Sequence, residues 1–241
     1  MARIDGRAND QLRPVEILPG INRFAEGSCL IRCGNTHVLC TASVEERTPP
    51  HVPEGEGWVT AEDSMLPRAN RERSRRDISK GKLSPRSAEI QRLVGRALRA
   101  AVDLKKLGAR TITIDCDVLQ GDGGTRTASV TGGFVALSYA CWKLVEEGVI
   151  PEMPITTCVA AVSAGIVDDV PMLDLCYEED SSAMVDLNCV MNHEGEIIEL
   201  QGTGEGRAFT IAEQRQLVDL CAKGIREIQA IQKAVLEGGD A

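Results

Sequence analysis

One stretch near the middle of the chain, TITIDCDVLQGDGGTRTASVTGGFVALSYACWKLVEEG, constrains the fold more than any other. Ile112, Ile114, Cys116 and Val118 alternate with polar residues and share one face, which is the period of a half-buried strand. The glycine-rich loop GDGGTR follows, and a long helix is then predicted, ending near Gly148. A strand that passes through glycines into a helix start leaves backbone N–H groups unpaired at that start. The polypeptide must therefore build a sheet with a helix beside it.

The flanking sequence supports the same class. Residues Ser28 to Val44 contain two β-prone runs separated by Gly34-Asn35, a good two-residue hairpin turn. From PPHVPEGEG through the basic stretch that follows it, a long loop is expected. A helix begins after Ser84, with Pro85 at its first position and a stripe of Ile90, Leu93, Val94, Ala97, Leu98 and Ala101. In AMVDLNCVMN, Val185, Leu187, Cys189 and Met191 point one way, whereas Asp186 and Asn188 point the other. The turn NHEGE leads to the strand IIELQG. A final helix opens with Thr210 and Glu213 in capping-box spacing and carries Leu217, Leu220, Cys221, Ile225 and Ile228 on one side. Mixed strands and helices over 241 residues indicate a single α/β or α+β domain spanning 1–241.

Charge is divided rather than uniform. The net charge of −9 argues against a nucleic-acid partner when taken alone. Yet Leu66 to Arg86 holds eight basic and two acidic residues, and Pro151 to Gly206 holds twelve acidic residues and no Lys or Arg. One segment suits phosphates and the other suits cations. The nine cysteines include no Cys-x-x-Cys pair and lie largely in apolar runs, so they read as reduced core thiols. No apolar stretch of membrane length and no cleavable leader is visible, and a cytoplasmic location is expected.

Three features could carry chemistry. The loop Gly121 to Arg126 joins permissive glycines, a helix start and a forked donor, which outlines an anion site; it lacks the Lys of a Walker A loop and the GxGxxG spacing. Arg86, in the first turn after Ser84-Pro85, offers a second grip on the same anion. Among the carboxylates Asp174, Glu178, Glu179, Asp180 and Asp186, the last is exposed by strand alternation; Glu178 and Glu179 read as a solvated turn. Carboxylates without His or Cys partners suit a hard cation such as Mg²⁺. His37, His51 and His193 have no ligand spacing, and no GxSxG elbow or Cys-His signature is present.

The segments RIDGRANDQLRPVEI, PRANRERSRRDISKGKLSPRSAEIQRLVGRALRA, DVLQGDGGTRTASVTGG, LDLCYEEDSSAMVDLN and EIIELQGTGEG occur in this order, and together they resemble the bacterial ribonuclease PH family over essentially the whole chain. The resemblance implies the α+β fold shared with polynucleotide phosphorylase and the exosome ring, with β-sheets packed on central helices, related to the ribosomal protein S5 second-domain fold. It implies a phosphate-dependent 3′-to-5′ exoribonuclease, or tRNA nucleotidyltransferase, that trims tRNA precursors, releases nucleoside diphosphates and can run in reverse. Inorganic phosphate is the co-substrate, bound by the residues matching Arg86, Gly124, Thr125 and Arg126. Asp180 and Asp186 match the catalytic pair associated with Mg²⁺, with Mn²⁺ as the other cation. Arg68, Arg71, Arg73 and Arg76 match the segment that guides the RNA acceptor stem. The expected assembly is a homo-oligomeric ring, a hexamer built as a trimer of dimers, with no membrane partner. Cys176 stands where many relatives carry an acid and is given no role. The rival expectations are a catalytically silent RNA-binding ring subunit, which would have lost the phosphate or aspartate residues, and a hydrolytic nuclease releasing monophosphates.

Overall fold

The computed structural model describes residues 3–76, 79, 81, 82 and 84–238, so Asp77, Ile78, Lys80 and Leu83 of the basic run lie outside the described residues. Strand β1 (Val15–Pro19), β2 (Gly27–Cys33), β3 (Thr36–Glu45), β4 (Trp58–Met65) and, after helices α1 (Pro85–Arg99) and α2 (Leu104–Leu107), β5 (Thr111–Gln120) form a five-stranded sheet. Its order is β1-β2-β3-β5-β4, antiparallel except for the parallel β4/β5 pair. Helix α3 (Thr125–Glu146) leads to a second sheet of β6 (Val159–Val167), β7 (Val170–Leu173), β8 (Val185–Asn192) and β9 (Ile197–Thr203). That sheet is antiparallel in the order β7-β6-β8-β9, with the short α4 (Tyr177–Asp180) after β7 and α5 (Ile211–Glu237) after β9.

Strand alternation explains the layering. In β6, Val159 and Ala161 join the core shared by the first sheet, α1 and α3, whereas Ala160, Val162, Ala164 and Ile166 join a second core beneath α5. β6 is therefore buried on both faces, and α3 lies between the two sheets. Among the described residues, α3 is the one helix long and apolar enough to cross a bilayer, but its apolar stretch is buried within the fold. Such burial is what a core helix requires.

Most expected elements are present. The hairpin turns at Gly34-Asn35, α1 starts behind an Ser84 cap with Pro85 first, and α5 opens on the Thr210/Glu213 capping box. Two expectations are corrected. The segment after Pro49 is interrupted by β4, whose inward positions Val59, Ala61 and Asp63 include an acid that breaks the apolar alternation. Thr125 and Arg126 are the first residues of α3 rather than part of the loop. All nine cysteines are free.

Candidate active site

The glycine loop creates the site because of its backbone. Gly123 and Gly124 both have positive φ, 76° and 65°, a region that strains residues bearing a Cβ. A Cβ on Gly123 would also lie 2.5 Å from the Leu175 carbonyl oxygen. With Gly124 as its N-cap, α3 receives no side-chain cap, so its first-turn N–H dipoles face the cavity before it. Thr36 braces the loop: its hydroxyl donates to the Gly123 carbonyl at 2.6 Å and accepts from the Asp122 N–H at 2.9 Å.

A cavity of about 280 Å³ collects the residues expected to work together: Arg86, Gly124, Thr125, Arg126, Asp180 and Asp186 all line it. Arg86 Nη2 donates to Thr125 Oγ1 at 2.8 Å, which joins the start of α1 to the start of α3. Arg126 Nη1 donates to Glu89 Oε1 at 3.1 Å and to Gln201 Oε1 at 3.3 Å, which aims the guanidinium across the same space. The second sheet supplies the opposite wall. Register pairs Gly165 with Asp186 and Ser163 with Asn188, so Ser163, Asp186 and Asn188 lie side by side on the face toward α3.

The acids are electrostatically distinct from ordinary surface carboxylates. Burial, then the neighbouring Asp180, pushes Asp186 up to about 6; Arg126 and a hydrogen bond from Asn188 Nδ2 at 3.0 Å oppose this. Asp180 sits at the solvent-open rim, and it too is raised, first by partial desolvation of its carboxyl, against the pull of Arg126 and Arg86. Asp186 is half-buried, deeper than its outward-facing strand position suggested.

The donor set fits a hard cation. It offers two carboxylates that repel each other, and beside them the buried Ser163 Oγ, which has no hydrogen-bond partner among the described residues. These are all oxygen donors, and no group of three or more His, Cys, Asp or Glu side chains forms a cage among the described residues. Mg²⁺ is commonly held in this way, by one or two carboxylates together with substrate phosphates.

The remaining acids have structural work, which corrects the reading of Glu179 as solvated. Glu179 is buried and receives Arg3 Nη2 at 2.6 Å and Nε at 2.8 Å. Arg13 Nη2 and its backbone N–H reach Asp174 at 2.7 and 2.8 Å, while Arg13 Nη1 donates to the Asp122 carbonyl at 2.5 Å. Burial disfavours the charges of Asp174 and Glu179, yet the arginines outweigh it and hold both carboxyls below their ordinary values. The N-terminal arginines thus tie the glycine loop to the acidic segment, a role that their polar local sequence did not reveal. Glu178 is exposed, as expected, and pairs with Arg71 at 2.5 Å. Cys176 caps α4, and its N–H donates to Glu179 Oε2.

The basic segment is only partly gathered at the site. Arg68 and Arg71 line a larger adjoining cavity of about 790 Å³, whereas Arg73 and Arg76 are exposed and line neither space. The segment is anchored to the glycine loop by the Gly121 N–H, which donates to the Ala69 carbonyl at 2.8 Å. Asn70, Ser163, Tyr177 and Asn188 also face the inner cavity. Of these, only Asn188 had a legible signal, its alternation with Leu187 and Cys189.

Comparison with known proteins agrees with this geometry. The model of the 3′ exoribonuclease family matches in two parts, domain 1 over residues 11–142 and domain 2 over residues 157–223. The chain is 53% identical over 237 residues to a ribonuclease PH from Syntrophomonas wolfei, covering 98% of this chain and 99% of that one. It is 56% identical over 235 residues to a ribonuclease PH from Bacillus pumilus, covering 97% of each. A chain of the Archaeoglobus fulgidus exosome, solved with RNA bound to the active site, superposes with a TM-score of 0.80 at 25% identity over 95% of this chain and 91% of that one. The fold, the cavity before α3 and the near full-length identity lead to one conclusion: this chain belongs to the 3′ exoribonuclease family, among proteins of the ribonuclease PH type.

Proposed function

We propose that this chain, a phosphate-dependent 3′-to-5′ exoribonuclease, holds inorganic phosphate between Arg86, Thr125, Arg126 and the start of α3. The single observation that carries this reading is that both arginines and an uncapped helix start line the cavity that contains Asp180 and Asp186. Guanidinium forks and helix N–H dipoles neutralise phosphate without accepting its proton, so it stays nucleophilic. A phosphate oxygen bonds to the phosphorus of the last RNA linkage as the bond to the preceding ribose 3′-oxygen breaks. The products are a nucleoside diphosphate and an RNA one nucleotide shorter. One phosphoryl linkage replaces another of similar energy, so excess diphosphate extends the RNA.

Asp180 and Asp186 would hold Mg²⁺, or Mn²⁺, with Ser163 and Asn188 beside them. A bound cation supplies positive charge where negative charge builds on the departing oxygen. Asn188 orients Asp186 through its amide, and Asp180 serves as a second ligand of the cation or as the acid for the leaving oxygen. Retention of both the arginines and the aspartates disfavours a silent ring subunit.

The biological substrate we infer is the 3′ end of tRNA precursors and related RNAs, supported by the similarity to ribonuclease PH and by the basic segment at the cavity mouth. We take the assembly to be a hexameric ring, a trimer of dimers, on the family resemblance, with the likeness in fold to an archaeal exosome core beside it. Since α3 packs on both sheets, residues 1–241 would act as one unit. Nine free thiols favour the reducing cytoplasm.

Arg126→Ala tests the phosphate site. A charged hydrogen bond contributes roughly 1.5–3 kcal/mol, so the phosphate concentration for half-maximal rate should rise about 10- to 150-fold while RNA affinity is nearly kept. Equal loss of RNA binding would move Arg126 to the RNA path.

A further inference from the structure

The chain is poor in aromatic residues, with two Trp, two Tyr and three Phe, so an exposed ring beside the reaction cavity is informative. Tyr177 is 51% exposed, and as the first residue of α4 it stands directly before the acidic run that includes Asp180. It borders two spaces at once. One is the inner cavity with Arg126 and Asp186; the other is a cavity of about 460 Å³ lined by Asn70, Arg71, Glu72, Gly121, Asp122 and Tyr177. The Arg71 guanidinium already lies over the Tyr177 ring, 5.8 Å from its centroid, while its Nη2 is paired with Glu178. The ring's electron-rich face thus already carries a flat cationic group.

We infer that Tyr177 is the stacking platform for the 3′-terminal base of the RNA, a reading that rests on the exoribonuclease function proposed above. The connectivity of the spaces supports it. When the terminal phosphodiester lies among Arg86, Arg126 and Asp186, the attached nucleoside must occupy an adjoining space, and Tyr177 forms the boundary between the inner cavity and the 460 Å³ cavity. Every base presents a π-face, so a ring at this position grips the end of any RNA without reading its sequence. The base takes the place of Arg71 over the ring, and Arg71, freed from Glu178, turns to an RNA phosphate.

The test compares Tyr177→Phe and Tyr177→Leu with the wild type. Leucine keeps apolar bulk at an exposed position and removes the π-face, so folding is not at issue. Loss of one stack, worth about 1–3 kcal/mol, should raise KM for a short single strand roughly 5- to 150-fold in the Leu variant, with kcat at saturating RNA and the phosphate KM nearly kept. The Phe variant should match the wild type. In a second readout, RNA carrying 2-aminopurine at its 3′ end is bound without phosphate or Mg²⁺, so no turnover is needed. Its fluorescence should be quenched by the wild type and the Phe variant and recover in the Leu variant. Wild-type RNA affinity for the Leu variant, or quenching only when the probe lies several nucleotides from the 3′ end, would overturn the assignment. Failure of the phosphorolytic reading would appear separately, as wild-type products other than diphosphates.

Discussion

At the scale of single residues, the proposed mechanism turns on Asp186. Its folded-state value of about 6 lies above that of an unfolded aspartate because burial and Asp180 both disfavour its charge. A raised carboxyl favours folding in its protonated form: this contribution is whole below the unfolded value and is lost as pH rises through about 6. Asp186→Asn should therefore abolish turnover yet, in the absence of divalent cations, unfold at neutral pH no more easily than the wild type, with a gain on the order of 1 kcal/mol after allowance for solvent screening. The gain should shrink toward about pH 4, where the wild-type carboxyl is itself protonated. Denaturant melts at the two pH values check this, and a variant clearly weaker at neutral pH would mean that Asp186 serves packing rather than chemistry.

At the scale of elements, the arginines of the N-terminal segment hold the site together. Arg3 and Glu179 form a buried pair at 2.6 Å, whose loss would leave the carboxylate with the Cys176 N–H and the longer contact from Arg7 at 3.7 Å. Arg3→Ala should cost about 3–5 kcal/mol in urea melts, whereas replacing Arg3 and Glu179 together by Met and Leu should recover most of that loss. A cost in the single variant below about 1 kcal/mol would show that the pair is solvated in solution. This network also marks where sequence reasoning stopped. Local patterns carry strong signals for single elements, so the β5 alternation, the α5 capping box and the outward placement of Asp186 and Asn188 were legible. The acidic partners of Arg3 and Arg13, Glu179 and Asp174, lie more than 160 residues away, and no local period encodes such a contact. β4 escaped because Asp63 occupies one of its inward positions, and Ser163 because β6 is buried on both faces and does not alternate. The convergence of Arg86 with Arg126 likewise required the tertiary fold.

At the scale of the whole molecule, a net charge of −9 coexists with RNA chemistry because the charges are segregated. Arg73 and Arg76 stand exposed outside the reaction cavity, where they can meet only the more distant parts of a substrate. Replacing both by Ala should weaken binding of a precursor tRNA, flatten the plot of log affinity against log salt by roughly one to two units, and spare phosphorolysis of a short single strand. Equal loss on short strands would place these arginines in ring assembly or at the active site instead. The most direct measurement for the molecule as a whole is product identity. Given a short single-stranded RNA and Mg²⁺, the protein should release nucleoside diphosphates from the 3′ end when inorganic phosphate is present and release almost nothing when it is removed. Nucleoside monophosphates appearing at an undiminished rate without phosphate would contradict the account, because water rather than phosphate at Arg86 and Arg126 would then be the nucleophile.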